Sequence, residues 1–194
     1  MERWSLRVGF ALFSFLLIGR VWLFEVVSVA NDSMSPALRS GELVLVWRGP
    51  LARVEPGAIV LYEHSGVRSL KRVVAQSGQT VEVSSGGLFV DGVAARQEDA
   101  VIALSKDCRV SEVAGVIEQW GGLKAAVRPA GEAFSEQVPP GHVYILGDHR
   151  AESSDSRQWG PLPESTIRGV AGWVLWSDGG CDSARRLRIG ERVR

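Results

Sequence analysis

Three segments of the chain carry side chains that could perform nucleophilic chemistry with a serine and a lysine. The first covers residues 33–38, Ser-Met-Ser-Pro-Ala-Leu, where the proline favours an extended residue before it and helps to present a serine hydroxyl. The second begins at Lys71, and the third covers residues 147–160. Serine near proline is also common in ordinary turns, so the first segment alone is a weak signal.

Lys71 lies in a segment whose alternation is typical of a β-strand. In a strand, Ser69, Lys71 and Val73 share one face, while Arg72 points to the other. Small or apolar neighbours would desolvate the ammonium group and lower its pKa, as a general base requires. Arg72 could not serve as this base, because a guanidinium does not lose its proton in proteins. The alternative is a lysine that protects an edge strand from aggregation.

The third segment, Gly-Asp-His-Arg-Ala-Glu-Ser-Ser-Asp-Ser-Arg-Gln-Trp-Gly, is rich in charged and hydroxylated side chains. Two aspartates, two arginines and three serines predict a loop that is held by internal ion pairs and hydrogen bonds. A polar surface loop without chemistry is the alternative.

The elements around these segments are expected to be mainly β-strands. Apolar runs bounded by Gly and Pro predict strands at 42–47, 58–62, 143–146 and 167–176, and a hairpin over 80–92. One short helix is expected around 110–120, because Val110, Val113, Ala114 and Ile117 fall on one helical face. Residues 93–137 otherwise give little guidance.

The N-terminal segment predicts a single transmembrane helix. An apolar run covers 8–19, and Trp4 and Trp22 are separated by about 27 Å along a helix, close to the hydrocarbon thickness of a membrane. Arg3 and Arg7 precede the run, which places the N-terminus in the cytoplasm. The expected division is therefore an anchor at 1–25 and a catalytic domain at 26–194 on the outer face of the cytoplasmic membrane. A cleaved secretory signal is the alternative.

Composition excludes some classes of protein. The formal net charge is zero, from 22 basic and 22 acidic residues, which argues against nucleic-acid binding. Neither the two cysteines, Cys108 and Cys181, nor the three histidines show the spacing of metal ligands. The cysteines could form a disulfide or remain thiols. The arginine-rich residues 181–194 predict a solvated tail, with binding to anionic lipid headgroups as the alternative.

Taken together and in this order, the three segments resemble the conserved boxes of bacterial type I signal peptidases, which are membrane-bound endopeptidases with a Ser–Lys dyad. The resemblance implies a signal-peptidase-like antiparallel β domain with one N-terminal transmembrane helix. It also implies removal of signal peptides from secreted preproteins after small residues in an A-x-A pattern. The implied enzyme uses no metal or organic cofactor, acts on preprotein signal peptides at the lipid bilayer, and is a monomer.

The resemblance also implies roles for individual residues. Ser33 corresponds to the nucleophile and Lys71 to the general base. Asn31 occupies the place of an oxyanion-hole serine, and its amide would act with the backbone N–H of Ser33. Met34, beside the nucleophile, is expected to contact substrate.

Further positions in the third segment are implied to support the dyad. Ser153 corresponds to a serine that hydrogen-bonds and orients the lysine, and Asp155 with Arg157 to a structural ion pair. Asp148 and Arg150 correspond to the other recurrent charged positions of the loop.

Some residues depart from the family pattern, and alternative functions remain open. His149 stands in place of a usual Asn, and Ala37, Ala58 and Gln79 replace Thr, Asp and Asp. His149 suggests a Ser–His site as an alternative, which would leave Lys71 without a role. Other candidate functions are a self-cleaving repressor-type protease, a peptidase specialised for one substrate such as a pilin, and an inactive membrane-anchored binding module.

Overall fold

A computed structural model of the protein describes residues 23–84, 87–106, 109–120, 123–127, 134–177 and 190–193, and most of these lie in antiparallel strands. Lys71, one of the two predicted dyad residues, lies in a strand of the largest sheet, and Ser33 lies in the loop between two of its strands. Its strands are numbered along the chain, and their spatial order is β1 (Phe24–Ser28), β2 (Leu43–Trp47), β14 (Ile167–Trp176), β3 (Ile59–His64), β4 (Val67–Gln76), β12 (His142–Leu146) and β13 (Leu162–Pro163), with β15 (Glu191–Arg192) beside β14.

Two smaller sheets and a few short helical turns complete the described part. The four-stranded sheet has the order β11 (Phe134–Gln137), β5 (Thr80–Ser84), β6 (Gly87–Val90) and β7 (Val93–Ala94). The three-stranded sheet has the order β10 (Leu123–Val127), β9 (Arg109–Trp120) and β8 (Arg96–Lys106). The helical turns are α1 (Ser156–Trp159) and 3-10 turns at Gly49–Leu51, Arg150–Glu152 and Glu164–Thr166.

Strand β3 explains why the core sits on both sides of the large sheet. Ile59 and Leu61 pack with the strands β1, β2 and β14 on one face, whereas Val60 and Tyr62 pack with β12 and β13 on the other. A strand that is buried on both faces has a continuous apolar sequence rather than an alternating one. This is the pattern of Ile-Val-Leu-Tyr at 59–62, so β3 is a rigid central strand beside the lysine-bearing β4.

Strand β2 alternates instead, and its outer side leaves apolar surface exposed. Val44 and Val46 are buried in the core, whereas Leu45 lies in one row with Val26 of β1 and Trp173 of β14. Val26 is 46% and Trp173 is 40% exposed. We call this surface the outer apolar face and define it by four residues, Val26, Leu45, Trp173 and Trp176.

The strand predictions for 42–47, 58–62, 143–146 and 167–176 and the hairpin over 80–92 are confirmed by β2, β3, β12, β14 and the β5–β6 pair. The predicted helix at 110–120 is wrong, because these residues form β9, paired on both sides. The segment contains the β-branched residues Val110, Val113, Val116 and Ile117, which favour a strand, and Gly115, which disfavours a helix.

The predicted anchor falls mostly outside the described residues, since the description begins at Leu23. Within the described part, no helix is long and apolar enough to cross a membrane. Phe24 and Glu25, assigned to the anchor by sequence, belong to β1. Cys108 and Cys181 lie outside the described residues, as do Arg185, Arg186, Arg188 and Arg194 of the predicted tail. Arg192 is described, lies in β15 opposite Trp173 of β14, and is exposed, which agrees with a solvated position.

Candidate functional site

Ser33 lies in a loop that is closed at its base by backbone hydrogen bonds. The N–H of Val29 donates to the carbonyl of Glu42, and the N–H of Gly41 donates to the carbonyl of Val29, both at 2.9 Å. Inside the loop, Asp32 Oδ1 accepts from the N–H of Ser40 at 3.0 Å. These bonds hold a short turn in a defined shape, and Ser33 at its centre is 8% exposed.

Lys71 comes from the middle of β4 and meets Ser33 inside the protein. Its Nζ lies 2.6 Å from Ser33 Oγ, and the residue is 3% exposed. Burial lowers the pKa of Lys71 from 10.5 to about 8, although the nearby Asp155 and Asp148 carboxylates act in the opposite direction. The predicted desolvation of this lysine is thus present, and its amine is close enough to Ser33 to exchange a proton.

Arg72 points away from Lys71 and ties β4 to the segment after β12. Its Nε and Nη2 donate to the two carboxylate oxygens of Asp148 at 2.8 and 2.6 Å, and its Nη1 donates to the carbonyl of Gly57 at 2.8 Å. Both side chains of this bidentate pair are buried. The alternation of β4 therefore directs one cation to the serine and its neighbour to an anchoring carboxylate.

We call residues 147–157 the 147–157 loop. Arg157 holds Asp155 through two hydrogen bonds, from Nε at 2.8 Å and from Nη2 at 2.9 Å. Asp155 also accepts from the N–H of Gly147 at 2.9 Å, which closes the loop. The expected internal ion pair is therefore present between Asp155 and Arg157. The other two charges pair outside the loop, Asp148 with Arg72 on β4 and Arg150 with Glu118 on β9.

Gly147 is a site residue whose importance the sequence did not reveal. A Cβ at this position would overlap the side chain of Ser153 and lie 2.7 Å from the carbonyl oxygen of Ser33. Two residues later, the N–H of His149 donates to that same carbonyl at 3.1 Å. The 147–157 loop thus packs directly against the backbone of Ser33, and only glycine permits this approach. Its position at the start of a polar loop after an apolar strand was the one available signal.

Ser153 lies beside Gly147, but its side chain makes no hydrogen bond among the described residues. It is 7% exposed, and its Oγ is buried without a partner there. The predicted bond from Ser153 to Lys71 is therefore not formed in this arrangement, and the orienting role stays a prediction. A buried hydroxyl without a partner is unfavourable, so it is available to a donor or acceptor that enters the site.

Asn31 is exposed and contacts the nucleophile through its oxygen. Its Oδ1 accepts from the backbone N–H of Ser33 at 3.1 Å, which is the geometry of an Asx turn. One of the two predicted oxyanion donors, the N–H of Ser33, is thus occupied by the side-chain oxygen of Asn31. The oxyanion role of Asn31 remains a prediction that requires its amide to turn.

A cavity of about 170 Å³ adjoins Ser33. It is lined by Val27, Ser28, Val29, Ala30, Asn31, Ser33, Met34, Leu61, Arg68, Ser69 and Leu70. Met34 is 1% exposed and belongs both to this lining and to the core, so its predicted contact with substrate is limited to the cavity wall. Within the described residues, no group of three or more His, Cys, Asp or Glu side chains is placed to hold a metal ion.

Two strand edges border this cavity. β1 is at the end of the large sheet, and β4 pairs with β12 only from Arg72 onward, so in the described part its residues 67–71 have strand pairing on one side. Arg68 Nη2 donates to Glu25 Oε1 at 2.7 Å across the gap between the two strands. An extended segment of another chain could therefore add to either edge and lead to Ser33.

Comparisons with known proteins show which family this chain is similar to. The family model described as signal peptidase, peptidase S26, matches residues 1–176. Signal peptidase I of Bacillus amyloliquefaciens is 29% identical over 178 residues, covering 89% of this chain and 84% of the relative. Signal peptidase I of Streptococcus pneumoniae is 26% identical over 193 residues, covering 91% and 93%. A solved signal peptidase I from Enterococcus faecalis is 24% identical with a TM-score of 0.41, covering 61% of this chain and 96% of that chain.

Proposed function

This chain belongs to the signal peptidase family, peptidase S26, and from that membership we propose that Ser33 and Lys71 are the catalytic dyad of a membrane-bound signal peptidase. Family membership makes the protein a hydrolase, a serine peptidase that removes signal peptides. The observation that carries the assignment of the dyad is the 2.6 Å distance between Lys71 Nζ and Ser33 Oγ in a buried site.

In the proposed reaction, neutral Lys71 accepts the proton of Ser33 as Oγ attacks the scissile carbonyl. With a pKa of about 8, roughly one molecule in ten carries the neutral amine at pH 7. The protonated lysine then gives its proton to the leaving amine, which leaves an acyl-enzyme. Lys71 next removes a proton from water, which hydrolyses the ester and restores Ser33.

The proposed oxyanion hole uses the backbone N–H of Ser33 and the side-chain amide of Asn31. A substrate carbonyl oxygen that replaces Asn31 Oδ1 as the acceptor of the Ser33 N–H would free the amide to turn its Nδ2 toward the same oxygen. The exposure of Asn31 leaves room for this rotation. Ser153, whose Oγ is buried beside Gly147, is proposed to accept a hydrogen bond from the ammonium of Lys71 during the reaction.

The proposed substrate is an extended segment that ends in small residues in an A-x-A pattern. The cavity of about 170 Å³ is small, and apolar residues such as Val29, Ala30 and Leu61 line part of its wall, which suits alanine-sized side chains. The open edges of β1 and β4 supply backbone donors and acceptors on both sides of such a segment. Main-chain pairing would give affinity without regard to most side chains, as a peptidase for many preproteins requires.

The proposed location is the cytoplasmic membrane, with residues 1–25 as a single anchor, the N-terminus in the cytoplasm and residues 26–194 on the outer side. The outer apolar face supports this arrangement, because Trp173 and Trp176 are 40% and 49% exposed on it. Tryptophan is favoured at the membrane interface. Val26, near the start of β1, lies on the same face, so the anchor and this face would meet the bilayer together.

The test is cleavage of a preprotein with an A-x-A signal by the full-length protein in lipid vesicles. We expect Ser33→Ala and Lys71→Ala to lose at least about 10³-fold in kcat, while Ser135→Ala, an exposed serine on β11, retains activity. The kcat/KM of the wild type should rise about tenfold per pH unit up to about pH 8 and then level off, because only neutral Lys71 can act as base. Retained activity in Lys71→Ala would refute the assignment of the base.

A further inference from the structure

A buried carboxylate connects the three-stranded sheet to the 147–157 loop. Glu118 on β9 is 1% exposed, and its Oε2 lies 2.6 Å from Nη2 of Arg150. Its Oε1 accepts from Nε2 of Gln97 on β8 at 3.3 Å. A carboxylate without water is stable only where a cation and donors replace its hydration, so this contact constrains both β9 and Arg150.

Arg150 transmits this constraint into the loop. Its Nε donates to the carbonyl of Gly147 at 3.0 Å, while its own carbonyl accepts from Nη2 of Arg157 at 2.6 Å. The guanidinium is planar and its donors have a fixed arrangement. Because Glu118 holds one edge of the group, it also sets the direction in which Nε–H points to Gly147.

Gly147 and His149 in turn touch the backbone of Ser33. The carbonyl oxygen of Ser33 accepts from the N–H of His149 at 3.1 Å and would lie 2.7 Å from a Cβ on Gly147. This turn has no space to move toward Ser33. Gly147 is also held on both of its backbone groups, since its carbonyl accepts from Arg150 and its N–H donates to Asp155. A displacement of the turn would therefore move the nucleophile.

We propose that Glu118 is a positioning residue for peptide cleavage: by fixing Arg150, it holds the turn 147–149 against Ser33 and keeps the Ser33 hydroxyl within reach of the Lys71 amine. This inference rests on the proposed dyad, and it assigns part of the catalytic alignment to Glu118, which makes no hydrogen bond or ion pair to either dyad residue in the described part of the chain. Geometry at this level decides rates, since a misplacement of about 1 Å can lower a rate about 10²-fold.

The test uses full-length Glu118→Gln, which keeps the side-chain length and removes the charge. The matched control is Glu98→Gln, an exposed glutamate on the adjacent strand β8 that accepts one hydrogen bond from Gln119 at 3.2 Å. We expect kcat of Glu118→Gln to fall about 10²-fold, with KM changed less than about twofold and the control unchanged in both.

The pH profile separates positioning from a loss of folded enzyme. A displaced turn admits water to Lys71, whose pKa is lowered chiefly by burial, so the acidic limb of kcat/KM should move to higher pH in Glu118→Gln. The other charges that act on Lys71 are Asp155, Asp148 and Arg157, and all three remain in the variant. A smaller amount of folded enzyme would lower the rate at every pH without moving the limb.

A second variant, Arg150→Lys, keeps a cation opposite Glu118 and removes the Nε–H donor to Gly147. If it is folded by circular dichroism and shows the same loss of kcat, the proposal is supported even where Glu118→Gln is too unstable to assay. Unchanged kcat and an unchanged pH profile in folded Glu118→Gln or folded Arg150→Lys would overturn it. Activity in Lys71→Ala would instead refute the dyad, so the two failures are distinguishable.

Discussion

The buried lysine should reduce the stability of the protein at neutral pH, and replacing it with methionine should reveal by how much. Lys71→Met retains an unbranched side chain of similar length and removes the ionisable group. The folded protein lowers the pKa of Lys71 from 10.5 to about 8, so between these values the unfolded chain binds a proton that the folded protein does not. Stability therefore rises with pH through this window, and below pH 8 the penalty of the buried ammonium is fully present.

The magnitude follows from the difference between the two pKa values. It corresponds to roughly 3 kcal/mol at pH 7, decreasing to roughly 2 kcal/mol at pH 9 and to under about 0.5 kcal/mol at pH 10.5. The attraction of Asp155 and Asp148 is already contained in the net shift. We therefore expect Lys71→Met to unfold with a free energy about 3 kcal/mol larger than wild type at pH 7, although it is inactive.

The assay is urea unfolding of the full-length proteins in detergent, followed by tryptophan fluorescence, at pH 7, 9 and 10.5. The control is Arg168→Met, whose guanidinium is 47% exposed and lies 3.3 Å from Glu63, and whose substitution should change stability by less than about 0.5 kcal/mol at every pH. A difference between Lys71→Met and wild type that does not depend on pH, or a destabilised variant at pH 7, would refute the claim that Lys71 is a desolvated base.

Three further outcomes follow from the site. Gly147→Ala should lower stability by about 1–3 kcal/mol and lower kcat, because its Cβ has no space; a thermal melt and a rate equal to wild type would contradict this. Asn31→Asp keeps the acceptor for the Ser33 N–H but cannot donate to an oxyanion, so it should lose about 10²–10³-fold in kcat, and a rate near wild type would show that Asn31 only forms a turn. Asp148→Asn should lower the free energy of unfolding by about 3–5 kcal/mol by leaving Arg72 buried without its anion, whereas a shift below about 1 kcal/mol in urea unfolding would show that the pair is not structural.

The local part of the site could be predicted from sequence because it depends on period-two alternation. That alternation separates Lys71 from Arg72, and the structure directs the first to Ser33 and the second to Asp148. It does not continue to the end of β4, since the pairing with β12 shifts between Tyr144 and Ile145 and leaves Val74 without a direct partner. Irregularities of this kind depend on the neighbouring strand and leave no trace in the sequence of β4 alone.

The parts of the site that could not be predicted from sequence depend on contacts between residues that are far apart in the chain. Glu118 lies in a segment whose apolar spacing fits a helix as well as a strand, and pairing with β8 and β10 decides in favour of the strand. Its pairing with Arg150, 32 residues away, could not be inferred without that outcome. The sequence showed only that Gly147 begins a polar loop after an apolar strand, because the close approach that requires a glycine there comes from Ser33 and Ser153.

The two strand edges beside the cavity have a further consequence when the protein is concentrated. The backbone N–H and C=O groups at these edges, which the proposed substrate would pair with, can pair equally well with the same edge of another copy. Such pairing can start the aggregation of sheets. Glu25 and Arg68, joined at 2.7 Å across the entrance, place opposite charges where that contact would start. The ion pair thus opposes edge-to-edge association of the protein with itself, because charged side chains at a strand edge disfavour pairing with another copy.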